Sequence, residues 1–514
     1  MSNRSVFGSS RGPNVPRADA KNEAGGKAYT RDPKQALAQL ACTGTFSGTY
    51  YADADTQLQE ILALAQQAPA DFLAKVAVYS RERGLMKDAP ALLLAVLASR
   101  DGALMEHIAP TILDSGKMLR NFVQIMRSGQ TGRKSLGSRP RRVVRKWLEV
   151  QTDERVFQAS VGEKPSLADV LKMVHPKPAT ASRKALYAWM LGKPAEGLPE
   201  IVTAYEAYKA APNDTPPSVP WLMLTGLPLT PGAWKGIARR ATWTQTRMNL
   251  QTFQRHGVLD DPEIVGLLAA RLRDPEEIRK ARPFPYQLLM AYTMSEGLPM
   301  PLRLALQDAM EIATENVPAW AGRVAVGVDV SGSMSNAVTG TRKGSTSKVR
   351  CVDVAALIAS CVLRKNAGAV VIPFDTAAYR CDLNPRDSVM TNAQKLAKYG
   401  GGGTACSLPL LALHEIKHPA DLVLIVSDNE SWADFHGGQG SPLAHAWSAF
   451  KAWQPQAKLV LMDLQPYTTT QHESRADVLN IGGFSDAIFD VIAAFASGNS
   501  SADRWVQEIE AVAL

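Results

Sequence analysis

The stretch Arg323-Val-Ala-Val-Gly-Val-Asp329-Val-Ser331-Gly-Ser333-Met-Ser335 decides the fold of the second half of this 514-residue chain. An apolar run that ends in Asp-x-Ser-x-Ser is typical of a buried strand followed by a tight loop with oxygen ligands. One carboxylate and two hydroxyls are hard ligands that suit Mg²⁺ without crowding several carboxylates together. The stretch therefore predicts a divalent-cation site at the end of a strand.

Two further ligands are expected from loops that lie far along the chain. Thr404 follows the glycine run Gly400-Gly-Gly-Gly, and Asp428 ends the apolar run Asp421-Leu-Val-Leu-Ile-Val-Ser-Asp428. A serine-rich turn after a strand explains Asp-x-Ser-x-Ser alone, but it does not explain these two residues in this order. The predicted site for Mg²⁺, the expected cofactor, consists of Asp329, Ser331, Ser333, Thr404 and Asp428.

The pattern resembles the metal-ion-dependent adhesion site of von Willebrand factor A domains, and the resemblance extends from about Ala319 to Leu514. It implies that a carboxylate from a partner or ligand completes the metal coordination. The site is then expected to serve binding rather than catalysis.

Strand and helix patterns alternate after Pro318. Apolar runs predict strands at 324–329, 369–374, 421–426 and 458–464, and helical periodicity predicts helices at 352–363, 390–398, 408–416, 441–453, 486–496 and 502–512. Continuous apolar strands between helices indicate a doubly wound parallel sheet that is covered on both faces. Ligands bind outside the carboxyl ends of such strands, where Asp329 and Asp428 fall.

The first half has a different pattern, with apolar residues at three- and four-residue spacing from about Leu58 onwards. Helices are predicted at 143–150, 167–174, 185–191, 234–250, 263–271, 286–294 and 302–313, with shorter ones before them. The fold class is therefore α plus α/β, a helical-repeat array followed by the metal-site domain. The expected boundaries are a flexible tail at 1–26, a helical domain at 27–318 and the A domain at 319–514.

Composition excludes several classes of protein. No apolar run of about 18 residues is present and the N-terminus lacks an apolar segment, so we expect neither membrane insertion nor secretion, and a cytoplasmic location. The five cysteines are scattered without Cys-x-x-Cys spacing, which argues against a disulfide framework or a zinc site.

The net charge of +8 is unevenly distributed. Residues 319–514 contain 16 Lys and Arg against 18 Asp and Glu, so the remaining residues carry 41 basic and 31 acidic side chains, a net charge of +10. The segment from Ser115 to Lys146 has no acidic residue at all. It favours a polyanion-binding surface over a merely solvated helix face. The candidate contacts there are Lys117, Arg120, Arg127, Arg139, Arg141, Arg142, Arg145 and Lys146, beside Arg133 and Lys134.

The combination of a helical array with this A domain resembles the Ro autoantigen (TROVE-domain) family, in its bacterial branch, over about Asn22 to Leu514. The residues that carry the resemblance are Asn22-Glu-Ala-Gly-Gly-Lys-Ala-Tyr-Thr30, Gly48-Thr-Tyr-Tyr51, His175-Pro-Lys-Pro178, Arg247-Met-Asn-Leu-Gln251 with Gly257-Val-Leu259, Ala281-Arg-Pro-Phe-Pro-Tyr286, Gly402-Gly-Thr-Ala-Cys-Ser-Leu-Pro409 and Asp428-Asn-Glu-Ser-Trp432.

The resemblance implies a monomeric ring of HEAT-like repeats closed by the A domain. It also implies binding of Y-like noncoding RNA on the outer surface and of single-stranded ends of defective RNAs through a basic channel. The partners it implies are an exoribonuclease such as polynucleotide phosphorylase, or RNA-repair enzymes.

His175 is an RNA contact that the family resemblance implies, with Lys172 and Lys177 beside it, although a lone His before Pro is more often a helix end. Many relatives carry a basic run and Gly-Trp just before that helix, whereas this chain has the shorter Phe157–Pro165 segment. The cluster Arg139–Lys146 is the alternative source of charge. The basic loop 336–348 is either a partner-specific flap or a flexible connection.

Two other functions remain open from the residues alone. A metal-dependent nuclease usually holds two metals with several carboxylates and a base, and only two carboxylates are evident at this site. A protein-only scaffold would use the metal site to hold a partner's Asp or Glu. The inventory of binding features without an evident general base favours a non-enzymatic RNA tether.

Overall fold

A computed structural model describes residues 15–43, 46–47, 52–283, 285–320, 322–340, 349–434, 438–465, 467–482, 486–498 and 504–514. The described residues form two compact units. The first unit combines those of 1–64, 284–290 and 314–508, and the second combines 65–283, 291–313 and 509–514. Two features of the sequence lie outside the described residues: the motif Gly48–Tyr51, and the cations Arg342, Lys343 and Lys348 of the basic loop 336–348.

Short strands and a helix begin the described chain, followed by a long run of helices. The first elements are β1 (Ala20–Lys21), β2 (Lys27–Thr30) and α1 (Pro33–Thr43). The helices that follow are α2 (Ala54–Gln67), α3 (Ala70–Glu82), α4 (Asp88–Arg100), α5 (Gly102–Ile112), α6 (Gly116–Ser128), α7 (Ser138–Val150), α8 (Asp153–Ala159), α9 (Leu167–Val174), α10 (Ala181–Met190), α11 (Glu200–Ala210), α12 (Trp221–Leu224), α13 (Pro231–Arg240), α14 (Trp243–Arg255), α15 (Pro262–Leu272), α16 (Pro275–Ala281), α17 (Pro285–Thr293) and α18 (Met300–Ala313).

Within the second unit, successive helices pack as neighbours. Helix α3 packs on α4 and α5, α4 on α6, α5 on α7, and both α6 and α7 on α9. The apolar stripe of each helix is buried in these contacts, as the three- and four-residue spacing requires. The predicted helical array is confirmed.

One predicted helix is in fact two. The pattern at 234–250 predicted a single helix, but α13 ends at Arg240 and α14 begins at Trp243. Thr242 explains the break, because its Oγ1 accepts the Gln245 N–H at 3.3 Å and its own N–H donates to Gln245 Oε1 at 2.8 Å. This reciprocal capping box starts a new helix.

The first unit is built on a five-stranded parallel sheet. Its strands are β3 (Val324–Asp329), β4 (Val370–Phe374), β5 (Leu422–Ser427), β6 (Lys458–Asp463) and β8 (Val478–Gly482), in the order β4-β3-β5-β6-β8. A separate short strand, β7 (Thr469–Thr470), pairs elsewhere. The remaining elements are α19 (Cys351–Lys365), α20 (Val389–Leu396), α21 (Leu408–Glu415), α22 (Pro442–Trp453), α23 (Asp486–Ala496) and α24 (Arg504–Glu510).

Helices cover both faces of this sheet. Alternate residues such as Val423 and Ile425 pack with Leu410 of α21 and Trp447 of α22 in one buried cluster. Helix α19 packs on β3, β4 and β5. The predicted doubly wound sheet is therefore confirmed, and the four predicted strands agree with β3, β4, β5 and β6 to within one residue at each end.

The sequence did not predict β8, because Asn480 interrupts its apolar run. The structure satisfies this buried amide: Asn480 Oδ1 accepts the Thr470 hydroxyl at 2.5 Å, and Nδ2 donates to the His472 carbonyl at 3.0 Å. A buried polar side chain is tolerated in a strand when neighbouring segments complete its hydrogen bonds.

The described part of residues 15–64 belongs with the sheet unit, which corrects the expected tail over 15–26 and the expected start of the helical domain at 27. Residues 1–14 of the expected tail lie outside the described residues. Strand β2 pairs antiparallel with both β1 and β7, with Tyr29 opposite Thr470. Arg31 is buried and pairs with the buried Asp463 at the end of β6. The pairing of β2 with β7 and of Arg31 with Asp463 joins residues hundreds of positions apart, so local composition gave no sign of these contacts.

The boundary at residue 318 also differs, since the described part of 284–290 and residues 314–318 belong to the sheet unit. Within the described ranges, no helix has the length and apolar character needed to cross a bilayer.

Candidate metal centre and nucleic-acid interface

The carboxyl ends of neighbouring strands bring the predicted metal ligands together. Strand β3 lies between β4 and β5, and Val328 pairs with Val426, so Asp329 and Asp428 leave adjacent strands at the same edge. Asp329, Ser331, Ser333, Thr404 and Asp428 are each less than 5% exposed. Two carboxylates buried this close together need compensation by hydrogen bonds or a cation.

Hydrogen bonds arrange the first loop around Asp329. Its Oδ1 accepts the Ser331 N–H at 2.9 Å, and its Oδ2 accepts the Ser427 hydroxyl at 2.5 Å. The Ser331 and Ser333 hydroxyl oxygens are 3.2 Å apart, and Ser333 lies close enough to Asp428 to oppose the rise that burial causes in the pKa of that carboxyl. These contacts bring four of the five predicted ligands into one cluster.

The glycine loop places Thr404 against the other two loops. The Gly332 N–H donates to the Gly402 carbonyl at 2.8 Å, and the Gly401 N–H donates to the Val330 carbonyl at 2.8 Å. The Thr404 carbonyl accepts the N–H groups of Trp432 at 3.0 Å and Ala433 at 2.9 Å. Thr404 is thus held by backbone contacts between all three loops.

The electrostatics of this cluster fit a divalent cation. Burial, together with the charge of Asp428, raises the pKa of Asp329 to about 7, and burial also raises the pKa of Asp428. Asp428 Oδ2 is buried without a hydrogen-bond partner among the described residues. An uncompensated carboxylate oxygen beside two hydroxyls matches the donor set that Mg²⁺ prefers. No group of three or more His, Cys, Asp or Glu side chains in the described ranges is arranged to hold a metal, so hydroxyl donors are essential to this assignment.

Asp375 is a supporting residue that the sequence did not reveal. It follows β4 as Asp329 ends β3, and its Oδ2 accepts the Gly402 N–H at 3.0 Å, while Oδ1 accepts the Tyr379 hydroxyl at 2.8 Å. Burial alone would raise the pKa of Asp375, but these hydrogen bonds and that from Ala377 hold it below its usual range. Asp375 therefore stays ionised and fixes the glycine loop. The sequence signal that could have identified Asp375 is a carboxylate directly after a second predicted strand.

The cations of α7 lie on two different sides of this helix. Arg145 Nε donates to the Val174 carbonyl at 2.5 Å, so this side of α7 faces the end of α9. Arg142 instead donates to Glu106 of α5 through Nε at 3.1 Å and Nη2 at 2.6 Å. Neighbouring chain segments thus provide an acidic partner that the segment 115–146 itself lacks.

Five predicted RNA contacts cluster where α7 meets the end of α9. Arg141 lies one helical turn before Arg145, and residues four apart share a helix face. The cluster, named here the His175 face, consists of Arg141, Arg145, Lys172, His175 and Lys177. Of these, Arg141, Lys172, His175 and Lys177 are exposed, and none forms a salt bridge within the described ranges. The charge of Lys172 does act on Asp169, whose pKa is lowered mainly by hydrogen bonds from Ser166.

His175 is displayed by the way α9 ends. Ser166 and Asp169 form a capping box at the start of the helix, and His175 closes it with a left-handed φ of 47°. Its N–H donates to the Leu171 carbonyl at 2.9 Å, which leaves the exposed imidazole for other contacts. The sequence placed His175 correctly at this helix end, and the structure adds the adjacent arginines.

The other predicted cations have different surroundings. Arg139, Arg142 and Lys146, named here the Glu106 face, lie towards α5: the Arg139 side chain lies against Gly102, and Lys146 lines a cleft of about 310 Å³ with Glu106 and Asp114. On α6, Arg120 donates to the Ala159 carbonyl, and burial lowers its pKa. Lys117 and Arg127 are exposed at opposite ends of α6.

The chain is similar to known proteins in sequence and in fold. Residues 323–496 match the Ro60 vWA domain family. The chain is 27% identical over 521 residues to "RNA-binding protein RO60" of Deinococcus radiodurans, covering 93% of this chain and 95% of that protein. It is also 27% identical over 267 residues to "RNA-binding protein RO60" of Caenorhabditis elegans, covering 49% of this chain and 39% of that protein.

The fold has a solved counterpart. The crystal structure of the Deinococcus radiodurans RO (RSR) protein superposes with a TM-score of 0.66 at 22% identity, covering 91% of this chain and all of that one. The resemblance to the Ro (TROVE-domain) family is confirmed by these similarities.

Proposed function

From a Ro60-type vWA domain and a Ro-like sequence along 93% of the chain, we propose that this protein binds noncoding RNA and presents it to other proteins. The single observation that carries the proposal is the His175 face. It gathers exposed cations and an imidazole from two helices, and in the part of the chain that the structure describes none of these cations forms a salt bridge. Cations neutralise phosphates, while an imidazole can stack on an unpaired base.

Removing charge from the His175 face is expected to flatten the salt dependence of RNA binding. In the triple variant Arg141→Ala, Lys172→Ala and Lys177→Ala, the slope of log K against log salt should fall by roughly 2–3, at about 0.7–0.9 per lost phosphate contact. The binding constant is measured at several salt concentrations by fluorescence anisotropy, with protein titrated into a labelled structured RNA.

The Glu106 face supplies a matched control with the same change in charge. Arg139→Ala, Arg142→Ala and Lys146→Ala remove three cations from the same region, but Arg142 is already paired with Glu106. In this control variant the slope of log K against log salt should change by less than about one. Equal losses in both triple variants would assign the binding to overall charge and contradict the His175 face.

His175→Asn is expected to weaken RNA binding about tenfold at constant salt, the lower end of about 1–3 kcal/mol for one stacked base. Asparagine tolerates the left-handed backbone at this helix end, so α9 should keep its length. The salt slope should remain that of the unmodified chain, because the variant removes no Lys or Arg side chain. Unchanged affinity would leave His175 as a helix-ending residue only.

We further propose that the metal site holds one Mg²⁺ through Asp329, Ser331, Ser333, Thr404 and Asp428. The buried oxygen of Asp428 and the adjacent hydroxyls support this assignment. A bound cation would supply a coordination position for a partner's carboxylate. The chain's own residues hold the three loops together and exclude water from the two aspartates.

The finer function we propose is that of a tether rather than a nuclease. Y-like noncoding RNA and the single-stranded ends of defective RNAs are the proposed ligands. An exoribonuclease or an RNA-repair enzyme is the proposed partner. The three sequence stretches of the metal site, 329–335, 400–404 and 428–432, contain no histidine that could act as a base, which supports a binding role.

A single experiment tests both parts of the tether proposal. Two labelled RNAs with the same fold, one with a single-stranded 3′ overhang and one blunt, are incubated with purified protein and Mg²⁺. The overhang RNA should bind more tightly, and both should stay intact. Equal binding would remove the selection for free ends. Cleavage that disappears with Asp329→Asn would establish a nuclease instead.

A further inference from the structure

Two sequence motifs are in contact in the structure although they lie about four hundred positions apart. They are Asn22–Thr30 and Asp428–Trp432. Asn22 Nδ2 donates to the Ser431 carbonyl at 2.8 Å across a separation of 409 residues. The Ala24 N–H donates to Glu430 Oε2 at 3.1 Å. The second motif begins at the proposed metal ligand Asp428, so the first motif contacts a loop of the metal site.

The N-terminal side of this contact is a closed turn. The Asn22 N–H donates to the Gly26 carbonyl at 2.9 Å, and the Gly26 N–H donates to Asn22 Oδ1 at 2.6 Å. Asn22 therefore uses its side-chain oxygen to close the turn and its nitrogen to hold Ser431. It is only 5% exposed, so water does not compete for these bonds.

Gly26 allows the turn to approach the loop backbone. A Cβ at this position would lie 2.0 Å from the Ser431 carbonyl oxygen and 3.1 Å from its carbon. Because both are backbone atoms, a side chain could be accommodated only by moving the loop. The glycine is required here by close contact.

The opposite side of the same loop is held by the segment that contains β7. Asn429 Nδ2 donates to the Thr469 carbonyl at 3.0 Å, and Gln471 Nε2 donates to the Asn429 carbonyl at 2.7 Å. Strand β2, which directly follows the turn, pairs with β7. The loop 428–431 is thus enclosed by two segments that are themselves joined.

Ser431 transmits the contact to both distant metal ligands. It lies three residues after Asp428, and its Oγ donates to Asp434 Oδ2 at 2.5 Å and lies 3.3 Å from the Thr404 carbonyl oxygen. The Cys406 N–H in turn donates to Ser431 Oγ at 2.9 Å. Movement of Ser431 would therefore displace the loops of Asp428 and Thr404 together.

We propose that the turn Asn22–Gly26 is a positioning element of the metal site, which sets its affinity for Mg²⁺ by fixing Ser431. This inference rests on the proposed Mg²⁺ binding. Partners that orient ligands without touching the metal typically change metal affinity 10–100-fold when they are removed. The N-terminal segment is then a part of the cation site.

The test compares Mg²⁺ binding by full-length variants, measured by titration calorimetry. Asn22→Ala removes the donor to Ser431, and Gly26→Ala displaces the loop by steric contact. Both should weaken Mg²⁺ binding by about 10–100-fold. The matched control is Lys21→Ala, an exposed neighbour on β1, which should bind Mg²⁺ as the unmodified chain does.

A second readout follows the loop without metal. Hydrogen exchange in a peptide covering 428–434 should accelerate in Asn22→Ala and Gly26→Ala, while exchange in β3 and β5 should remain slow. Should either variant fail to fold, Ser431→Ala keeps the carbonyl that Asn22 holds but removes the hydroxyl that links this loop to Cys406 and Asp434, and it is expected to lose Mg²⁺ affinity to a similar degree.

The outcomes separate this inference from the metal assignment. Mg²⁺ binding by the unmodified chain, together with unchanged affinity in Asn22→Ala and Gly26→Ala, overturns the positioning role alone. No Mg²⁺ binding by the unmodified chain overturns the metal assignment and the positioning role with it. Weaker binding in both variants and unchanged binding in Lys21→Ala supports the inference.

Discussion

Replacing Arg31 with methionine is expected to destabilise the sheet unit by about 3–5 kcal/mol, the usual cost of leaving one member of a buried ion pair alone. Arg31 and Asp463 have side chains only 1% and 3% exposed, and Arg31 Nε also donates to the Thr469 carbonyl at 2.8 Å. The variant leaves the Asp463 charge buried without its partner. Native-state hydrogen exchange in peptides from β3 and β5 measures this unit separately from the helical one.

The pH dependence of the Arg31→Met variant has a definite sign. Burial raises the pKa of Asp463 to about 6, while the charge of Arg31 acts in the opposite direction. Without Arg31 this pKa rises further, so the folded variant retains a proton that the unfolded chain releases. The stability deficit should therefore be largest near pH 8 and shrink towards pH 5. A deficit that grows on acidification would contradict this account.

A double variant provides the control for this ion pair. Arg31→Met with Asp463→Leu removes both charges and places apolar groups in the same volume. Replacement of a whole buried pair is often neutral or stabilising, so the double variant should recover most of the loss. If it is as unstable as Arg31→Met, packing around Arg31 rather than charge is responsible.

Replacing Asp329 and Asp428 with asparagine is expected to abolish stabilisation of the sheet unit by Mg²⁺. A cation at about 100 times its dissociation constant stabilises a folded protein by about 2.7 kcal/mol. The unmodified chain should show such a gain in a melting or exchange experiment, and the double variant should show none. Without Mg²⁺ the double variant should be at least as stable as the unmodified chain, because burial of two neighbouring carboxylates is removed.

The control for the aspartates keeps the change in charge but not the position. Asp382→Asn with Asp490→Asn removes two exposed carboxylates from the same unit. This variant should respond to Mg²⁺ as the unmodified chain does. RNA binding through the His175 face should persist in both double variants, since no cation is removed. An unaltered Mg²⁺ response after replacement of Asp329 and Asp428 would refute the metal assignment.

Sequence patterns were sufficient where a local signal carried the information. The apolar run before Asp329 predicted β3 with its observed bounds, because burial on both faces of a parallel strand requires continuous apolar residues. The end of α9 at Val174 was also predicted from a local signal, the helical spacing of its apolar residues. The break at Thr242 carried a local signal as well, the capping-box pair Thr242 and Gln245, and could have been predicted.

Other features depended on partners that the local sequence does not contain. The segment 115–146 lacks acidic residues, yet Arg142 is paired with Glu106 because α5 packs on α7. Strand β8 contains a polar residue that only Thr470 and His472 make tolerable. The support of the glycine loop by Asp375 likewise appears only when the strand ends are placed side by side.

The sequence by itself determined the two fold types, their order along the chain and the five oxygen-bearing residues expected to form the metal site. These follow from periodicity and from chemistry that is local to each segment. Only the tertiary structure decided that the N-terminal segment completes the sheet unit, with Asn22 on Ser431 and Arg31 on Asp463. The physical reason is that a buried donor or charge must find a partner, and the partner's place in the chain is set by packing rather than by proximity in sequence.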